Sequence, residues 1–259
     1  MGFVNTANTE PSGGDALGWR RKFGVIIPST NTIVEPEFHA MSVPGVTAHT
    51  SRIHIHDQDL SSDDAMVRLL EQIREEIGNA VTRVCTAQPD YMVMGMSAET
   101  FWDGVEGNRR FTAQINEISG LQVATGAEAC ERALKLHGAK RIGIVTPYQP
   151  VGDSNVVKFF EELGFEVAAI EGLKCPSAVA IAEVGEAELR AALTRVNQPD
   201  VDAIVQCGTN LSMVHLADEA ERWFAKPVIA INAATWWMAL RDNGVTDQLH
   251  GFGSLLREH

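Results

Sequence analysis

Short apolar runs rich in Val, Ile and Met alternate along the chain with longer segments whose apolar residues recur every three or four positions. The first kind fits buried strands and the second fits helices, because side chains repeat every two residues in a strand and about every 3.6 in a helix. The pattern predicts strands at 23–28, 46–54, 90–95, 121–125, 141–146, 166–170, 201–206 and 227–231. Helices are predicted at 34–41, 62–86, 108–118, 126–137, 153–163, 186–196, 212–224 and 233–242. The 62–86 segment is the clearest: Ser61-Ser62-Asp63-Asp64 caps it, and Met66, Leu69, Leu70, Ile73, Ile77 and Val81 share one face. Such alternation of strands and helices predicts an α/β protein with parallel strands.

The pattern also repeats itself once. Val123-Ala124-Thr125-Gly126-Ala127, running on to Gly138, is echoed at a constant offset of 106 by Ile229-Ala230-Ile231-Asn232-Ala233, running on to Gly244. Pro89-Asp90 before one strand is echoed by Pro199-Asp200 before another, and Gly24-Val25-Ile26-Ile27-Pro28 by Gly143-Ile144-Val145-Thr146-Pro147. The expectation is two pseudo-symmetric lobes, 19–138 and 139–244, each a mainly parallel sheet flanked by helices. Ligands of such sheets sit at the carboxyl ends of strands, so the active site is expected in the cleft between the lobes, with Met96 opposite Cys207. Residues 1–18 read as a flexible tail, and 245–259 as a segment packing back on the first lobe. Met1-Gly2-Phe3-Val4-Asn5-Thr6 fits the loose myristoylation pattern, but no polybasic stretch supports it.

Composition narrows the function. The 259 residues are 45% hydrophobic and 21% charged, with a net charge of −13 and scattered Lys and Arg, which disfavours nucleic-acid binding. No apolar run is long enough for a membrane span or a signal segment, and a cytoplasmic protein is expected. Cys85, Cys130, Cys175 and Cys207 have no zinc or redox-pair spacing and read as free thiols. His54-Ile55-His56-Asp57 lacks an evident third metal ligand. No phosphate-binding glycine fingerprint or Gly-x-Ser-x-Gly elbow is present. Neither a metal nor an organic cofactor is expected.

Candidate chemistry gathers at the strand ends. Cys207 ends the run Ala203-Ile204-Val205-Gln206 and precedes Gly208-Thr209-Asn210 and a helical segment. The expectation is a thiol at a helix N-terminus, where the dipole favours thiolate and free N–H groups bind a carboxylate. The other three cysteines read as small core residues. Pro28-Ser29-Thr30-Asn31-Thr32 ends the first strand and serves equally well as an anion cradle or as a turn and cap cluster. Tyr148 holds the matching place in the second half, as an oxyanion donor or a packed turn residue. Near Met96, Ser97 and Thr100 are candidate hydrogen-bonding groups, with Glu99 a cap or an acid. The Trp236-Trp237 pair reads as core packing.

These motifs resemble the aspartate/glutamate racemase superfamily, and most closely its branch of maleate cis–trans isomerases and arylmalonate decarboxylases. Val25 to Thr32 and Val145 to Tyr148 are similar to the isomerases, and Cys207-Gly208 to both. The resemblance implies a cofactor-independent enzyme, a homo-oligomer by family habit, acting on a small carboxylic or dicarboxylic acid. It implies Asn31 and Tyr148 as carboxylate binders, and Cys207 with the Gly208 and Thr209 amides as a catalytic turn. Asn210-Leu211 is similar to an Asn-Leu pair of the isomerases. Where those isomerases and racemases carry Cys-Thr-Ser-Gly-Ser-Phe, this chain reads Met96-Ser97-Ala98-Glu99-Thr100-Phe101 when aligned on Phe. A thioether neither attacks nor shuttles protons, so Met96 turns the expectation from two-cysteine racemisation or isomerisation to decarboxylation with a single protonating cysteine. Maleate-type isomerisation and a non-catalytic small-acid binder are the alternatives.

Overall fold

The computed structural model describes residues 15–259; the Met1 to Thr6 pattern lies outside them. In chain order the elements are β1 (Arg21–Pro28), α1 (Val34–Ala40), β2 (Val46–Ile53), α2 (Asp63–Cys85), β3 (Tyr91–Met94), α3 (Ala98–Phe101), α4 (Gly104–Ser119), β4 (Val123–Ala124) and α5 (Gly126–Leu136). They continue with β5 (Arg141–Thr146), α6 (Pro150–Glu162), β6 (Glu166–Gly172), α7 (Glu186–Val196), β7 (Ala203–Gln206), α8 (Val214–Phe224), β8 (Val228–Ala230), α9 (Ile231–Asp242) and α10 (Ser254–Glu258). Each predicted element is present, and α3 and α10 are additions too short to show a helical period.

The strands form two four-stranded parallel sheets, ordered β2-β1-β3-β4 and β6-β5-β7-β8. The two orders are the same series, so β1, β2, β3 and β4 correspond to β5, β6, β7 and β8. The central strands are buried along nearly their whole length, which is why they read as continuous apolar runs rather than alternating ones. α2 begins at a working cap, Ser62 Oγ accepting from the Ala65 N–H at 3.1 Å.

One core runs through both sheets. Trp236 on α9 crosses from the second half into the first, its indole 5.4 Å from the Phe23 ring and 4.9 Å from the Phe38 ring, with Nε1 donating to Met41 O at 2.8 Å. The 245–259 segment departs from expectation. It packs mainly on α8 and α9 of the second half, where Ser254 binds Glu221, the Gly253 N–H donates to Asp218, and Leu255 and Leu256 are buried. The carboxylates of α8 draw it there, and Arg20 paired with Asp247 is its main polar tie to the first half. Among the described residues no helix is long and apolar enough to cross a membrane.

Candidate active site

The carboxyl ends of β1, β3, β5 and β7 converge on a cavity of about 70 Å³. One end of it is polar, with Thr30 and Asn31 after β1, Ser97 after β3, Tyr148 after β5, and Gly208, Thr209 and Asn210 after β7. The rest is apolar: Ile55 and Leu60 before α2, Met66, Leu69, Leu70 and Ile73 on α2, with Met96 and Ile181. Among the described residues no charged side chain lines it.

The polar groups form one connected chain across both lobes. Ser97 Oγ and Tyr148 Oη share a hydrogen bond of 2.6 Å, the Thr209 N–H donates to Ser97 Oγ at 3.2 Å, and Asn31 Nδ2 donates to Thr209 Oγ1 at 3.3 Å. Asn31 caps α1 as its sequence position suggested, and it also lines the cavity. Its Oδ1 accepts from the Ile33 and Val34 N–H groups at the start of α1, and this leaves the amide nitrogen facing Thr209. Tyr148 is seated by Thr146, whose hydroxyl accepts from the Tyr148 N–H at 3.1 Å and donates to Asp153. Burial pushes the Tyr148 phenol well above its usual range, so it stays a neutral donor.

Several expected residues lie elsewhere or act differently. Ser29 does not line the cavity: it sits over the end of β2, its hydroxyl accepting from the Ile55 N–H at 3.0 Å. The Asn210 side chain is taken up between the lobes, accepting from the Thr32 N–H and donating to Ala178 O, both at 3.0 Å, so its backbone is what remains for a ligand. Glu99 is held by Arg74 at 2.7 Å and does not line the cavity. Neither indole of the Trp236-Trp237 pair reaches it. The His54 and His56 rings pack 4.1 Å apart, and no metal-binding cluster forms among the described residues.

Cys207 is fully buried and does not itself line the cavity, which the turn after it reaches through Gly208. The expected helix N-terminus is not there, because α8 begins only at Val214 and the intervening residues form a turn. Desolvation, with a contact from Cys130, raises the Cys207 thiol well above its ordinary value. It is therefore a protonated donor at rest and not a thiolate. Cys130, read from sequence as a core residue, thus borders the Cys207 sulfur.

Strand register corrects the position of the first-half counterpart. The Cys207 N–H donates to Val145 O and the Gly95 N–H to Ile26 O, both at 2.8 Å, and Val145 pairs with Gln206 as Ile26 pairs with Met94. Gly95, and not Met96, is the mate of Cys207. Aligning on Phe101 missed this by one residue, since the ladder between neighbouring strands, not the following loop, fixes register. A Cβ on Gly95 would collide with Ile27 Cγ2 and lie 2.8 Å from Val34 Cγ1. Gly208 is constrained too: its φ is +153°, and a Cβ there would lie 2.5 Å from Pro147 Cδ.

Sequence reasoning missed Glu37, Gln206 and Asn232, all buried under the turn. Gln206 Nε2 donates to Gly208 O at 2.7 Å, and Asn232 Nδ2 donates to Thr209 O at 2.9 Å. A polar residue ending an apolar strand was the only local signal.

A strand-end thiol beside a polar and apolar cavity, between two duplicated lobes, places this chain among two-lobed α/β enzymes. The chain belongs to the arylmalonate decarboxylase family, whose model matches residues 23–256. This is a branch of the aspartate/glutamate racemase superfamily, and the chain's relatives in it are isomerases and decarboxylases. It is 25% identical over 248 residues to the maleate isomerase of Nocardia farcinica, covering 92% of this chain and 96% of that one. It is 27% identical over 169 residues to the arylmalonate decarboxylase of Bordetella bronchiseptica, covering 64% and 70%. The solved Nocardia farcinica isomerase, a cysteine-to-serine mutant with a covalently bound succinylcysteine intermediate, superposes with a TM-score of 0.82 at 23% identity, covering 92% of this chain and 99% of that one.

Proposed function

We propose that this chain decarboxylates a small malonic acid bearing an apolar substituent and protonates the product on one face through Cys207. The observation that carries this reading is glycine at the mate of Cys207, beside a cavity wall with no charged side chain among the described residues. One carboxylate of the substrate accepts from Asn31, Thr209 and the turn amides. The other faces Leu70, Ile73 and Met96, where it loses hydration. A carboxylate deprived of water is destabilised relative to neutral carbon dioxide, which favours breaking its bond to the α carbon. The electron pair left behind spreads into the retained carboxylate as an enediolate, stabilised by the Ser97–Tyr148 hydroxyl pair and the turn N–H groups. The Cys207 thiol gives its proton to the α carbon, and solvent reprotonates the sulfur. The net change is one proton taken up and one carbon dioxide released.

The cavity, about 70 Å³, is roughly half the ~150 Å³ that admits benzene, so binding an aryl or branched alkyl group includes outward movement of the apolar wall. Incubation with a disubstituted malonate in deuterated buffer tests the reading: carbon dioxide and one deuterated enantiomer are expected. Conversion of maleate to its trans isomer without decarboxylation would replace it with the second reading, isomerisation. That reading is supported by the Asn31, Thr209, Ser97 and Tyr148 chain, which is long enough to meet a carboxylate from either lobe.

A further inference from the structure

A carboxyl group that the proposed chemistry leaves unused lies beneath the substrate turn. Glu37, on α1 of the first lobe, is buried against the second. Its Oε1 accepts from the Met213 and Val214 N–H groups, at 2.9 and 3.3 Å, where α8 begins. Its Oε2 accepts from Asn232 Nδ2 at 2.6 Å, and the same nitrogen donates to Thr209 O at 2.9 Å. Every partner of Glu37 is a donor, so its hydrogen bonds favour the carboxylate even as burial favours the acid. The other end of the Asn232 amide is buried too, and its Oδ1 has no partner among the described residues. A carboxyl group beside an amide with a spare buried acceptor has a second arrangement within reach. Protonated, it donates to that oxygen once the amide has turned over.

We propose that Glu37 is a positioning residue whose ionised form holds the Asn232 amide on the Thr209 carbonyl, and whose protonation turns the amide over and releases the substrate turn. The consequence follows from peptide geometry. In a trans peptide the C=O and N–H point opposite ways. Gln206 anchors Gly208 O at 2.7 Å, and the Thr209 N–H accordingly faces away from it and meets Ser97 Oγ in the cradle. Asn232 does the same for the next peptide, so anchoring Thr209 O fixes the direction of the Asn210 N–H. Losing that anchor frees one donor of the cradle.

Burial raises the Glu37 carboxyl from 4.5 to about 7, opposed by its hydrogen bonds from Asn232, Val214 and Met213 and by His215. The exchange therefore falls near neutral pH. His215 is the titratable group of α8 that acts on it. On α1 itself Glu35 pairs with Arg52 of β2, and α9 presents the uncharged Asn232.

The test is an NMR titration of the full chain between roughly pH 5 and pH 9, following the Glu37 side-chain carboxyl carbon and the Asn210 amide nitrogen. Both are expected to move together with one inflection near pH 7. In Asn232→Leu, Glu37 still titrates but Asn210 no longer follows it. In Glu37→Gln, Asn210 rests at its acid-side position throughout. A Glu37 that stays ionised at pH 5, or an Asn210 that ignores it in the wild type, overturns the proposal. Should Glu37→Gln fail to fold, wild type and Asn232→Leu decide it. The effect on turnover rests on the proposed function: with a substituted malonate, kcat/KM falls about tenfold per pH unit below the inflection, and not in Glu37→Gln. Absence of malonate turnover would sink the decarboxylase reading while leaving the NMR result to judge the switch.

Discussion

At the scale of single residues, Cys207 and Gly95 stand at one position of the duplicated fold and do opposite things. Cys207→Ala deletes the only proton donor proposed for the α carbon, and a loss of about 10²–10⁴-fold in kcat is expected. Substrate affinity should persist, because the cradle is built from Asn31, Ser97, Tyr148 and Thr209. Turnover and calorimetric binding of a malonate separate the two quantities. Gly95→Ala is expected to destabilise the fold by about 1–3 kcal/mol, since its Cβ meets Ile27 and Val34. Urea unfolding checks this, and Ile27→Leu in the same chain, which removes the Cγ2 methyl the new Cβ meets, should recover part of the loss. Register explains why the sequence misplaced this glycine. Local alignment reads the loop, whereas the position is set by hydrogen bonds from Gly95 to Ile26 on another strand.

At the scale of elements, two loops close the cavity by holding each other. Asp59, before α2, bridges Ser177, after β6, with Leu60 N–H donating to Pro176 O at 2.9 Å and Ala178 N–H to Gln58 O at 2.8 Å. Beneath them Gln149 Nε2 donates to Leu60 O at 2.6 Å and to Cys175 O at 3.4 Å. Gln149→Leu leaves buried carbonyls without their donor, which costs about 1–3 kcal/mol. Faster hydrogen exchange at Leu60 and Ala178, with α7 unchanged, is the expected signature. The helix carrying the cavity wall was legible as an element but not as a wall. Met66, Leu69, Leu70 and Ile73 show the same period whether they face a packed core or a cavity.

At the scale of the whole molecule, the shared core and the polar ties between lobes couple stability to pH and make unfolding cooperative. Trp236 packed against Phe23 and Phe38 ties the second lobe into the core of the first, so one thermal transition is expected by both fluorescence and calorimetry. Trp236→Ala should lower stability by about 3–5 kcal/mol without splitting that transition. Glu37 gives the pH dependence its sign. Its folded value of about 7 exceeds 4.5, so the folded chain keeps a proton that the unfolded chain has released. Its contribution is full below pH 4.5 and lost as pH rises through 7, on the order of 3 kcal/mol in all. Asp153, raised from 3.8 to about 6, slopes the same way at lower pH. Urea unfolding at pH 5 and pH 8 is expected to show a larger loss in wild type than in Glu37→Gln, the difference being the Glu37 share, while the Asp153 share remains in both.

The sequence by itself determined the order and type of the elements, the duplication, and the strand ends at which Asn31, Ser97, Tyr148 and Cys207 stand. Those are consequences of side-chain period and local repetition, and both are written along the chain. Only the tertiary structure decided that Gly95 is the first-half counterpart of Cys207, that Ser29 and Glu99 lie off the cavity, and that the cysteine rests as a buried thiol instead of a thiolate. It also decided that Glu37 and Asn232, 195 positions apart, meet under the substrate turn. Burial and hydrogen-bond partnership depend on which surfaces the fold brings together, and a linear pattern carries no record of a partner from the other lobe.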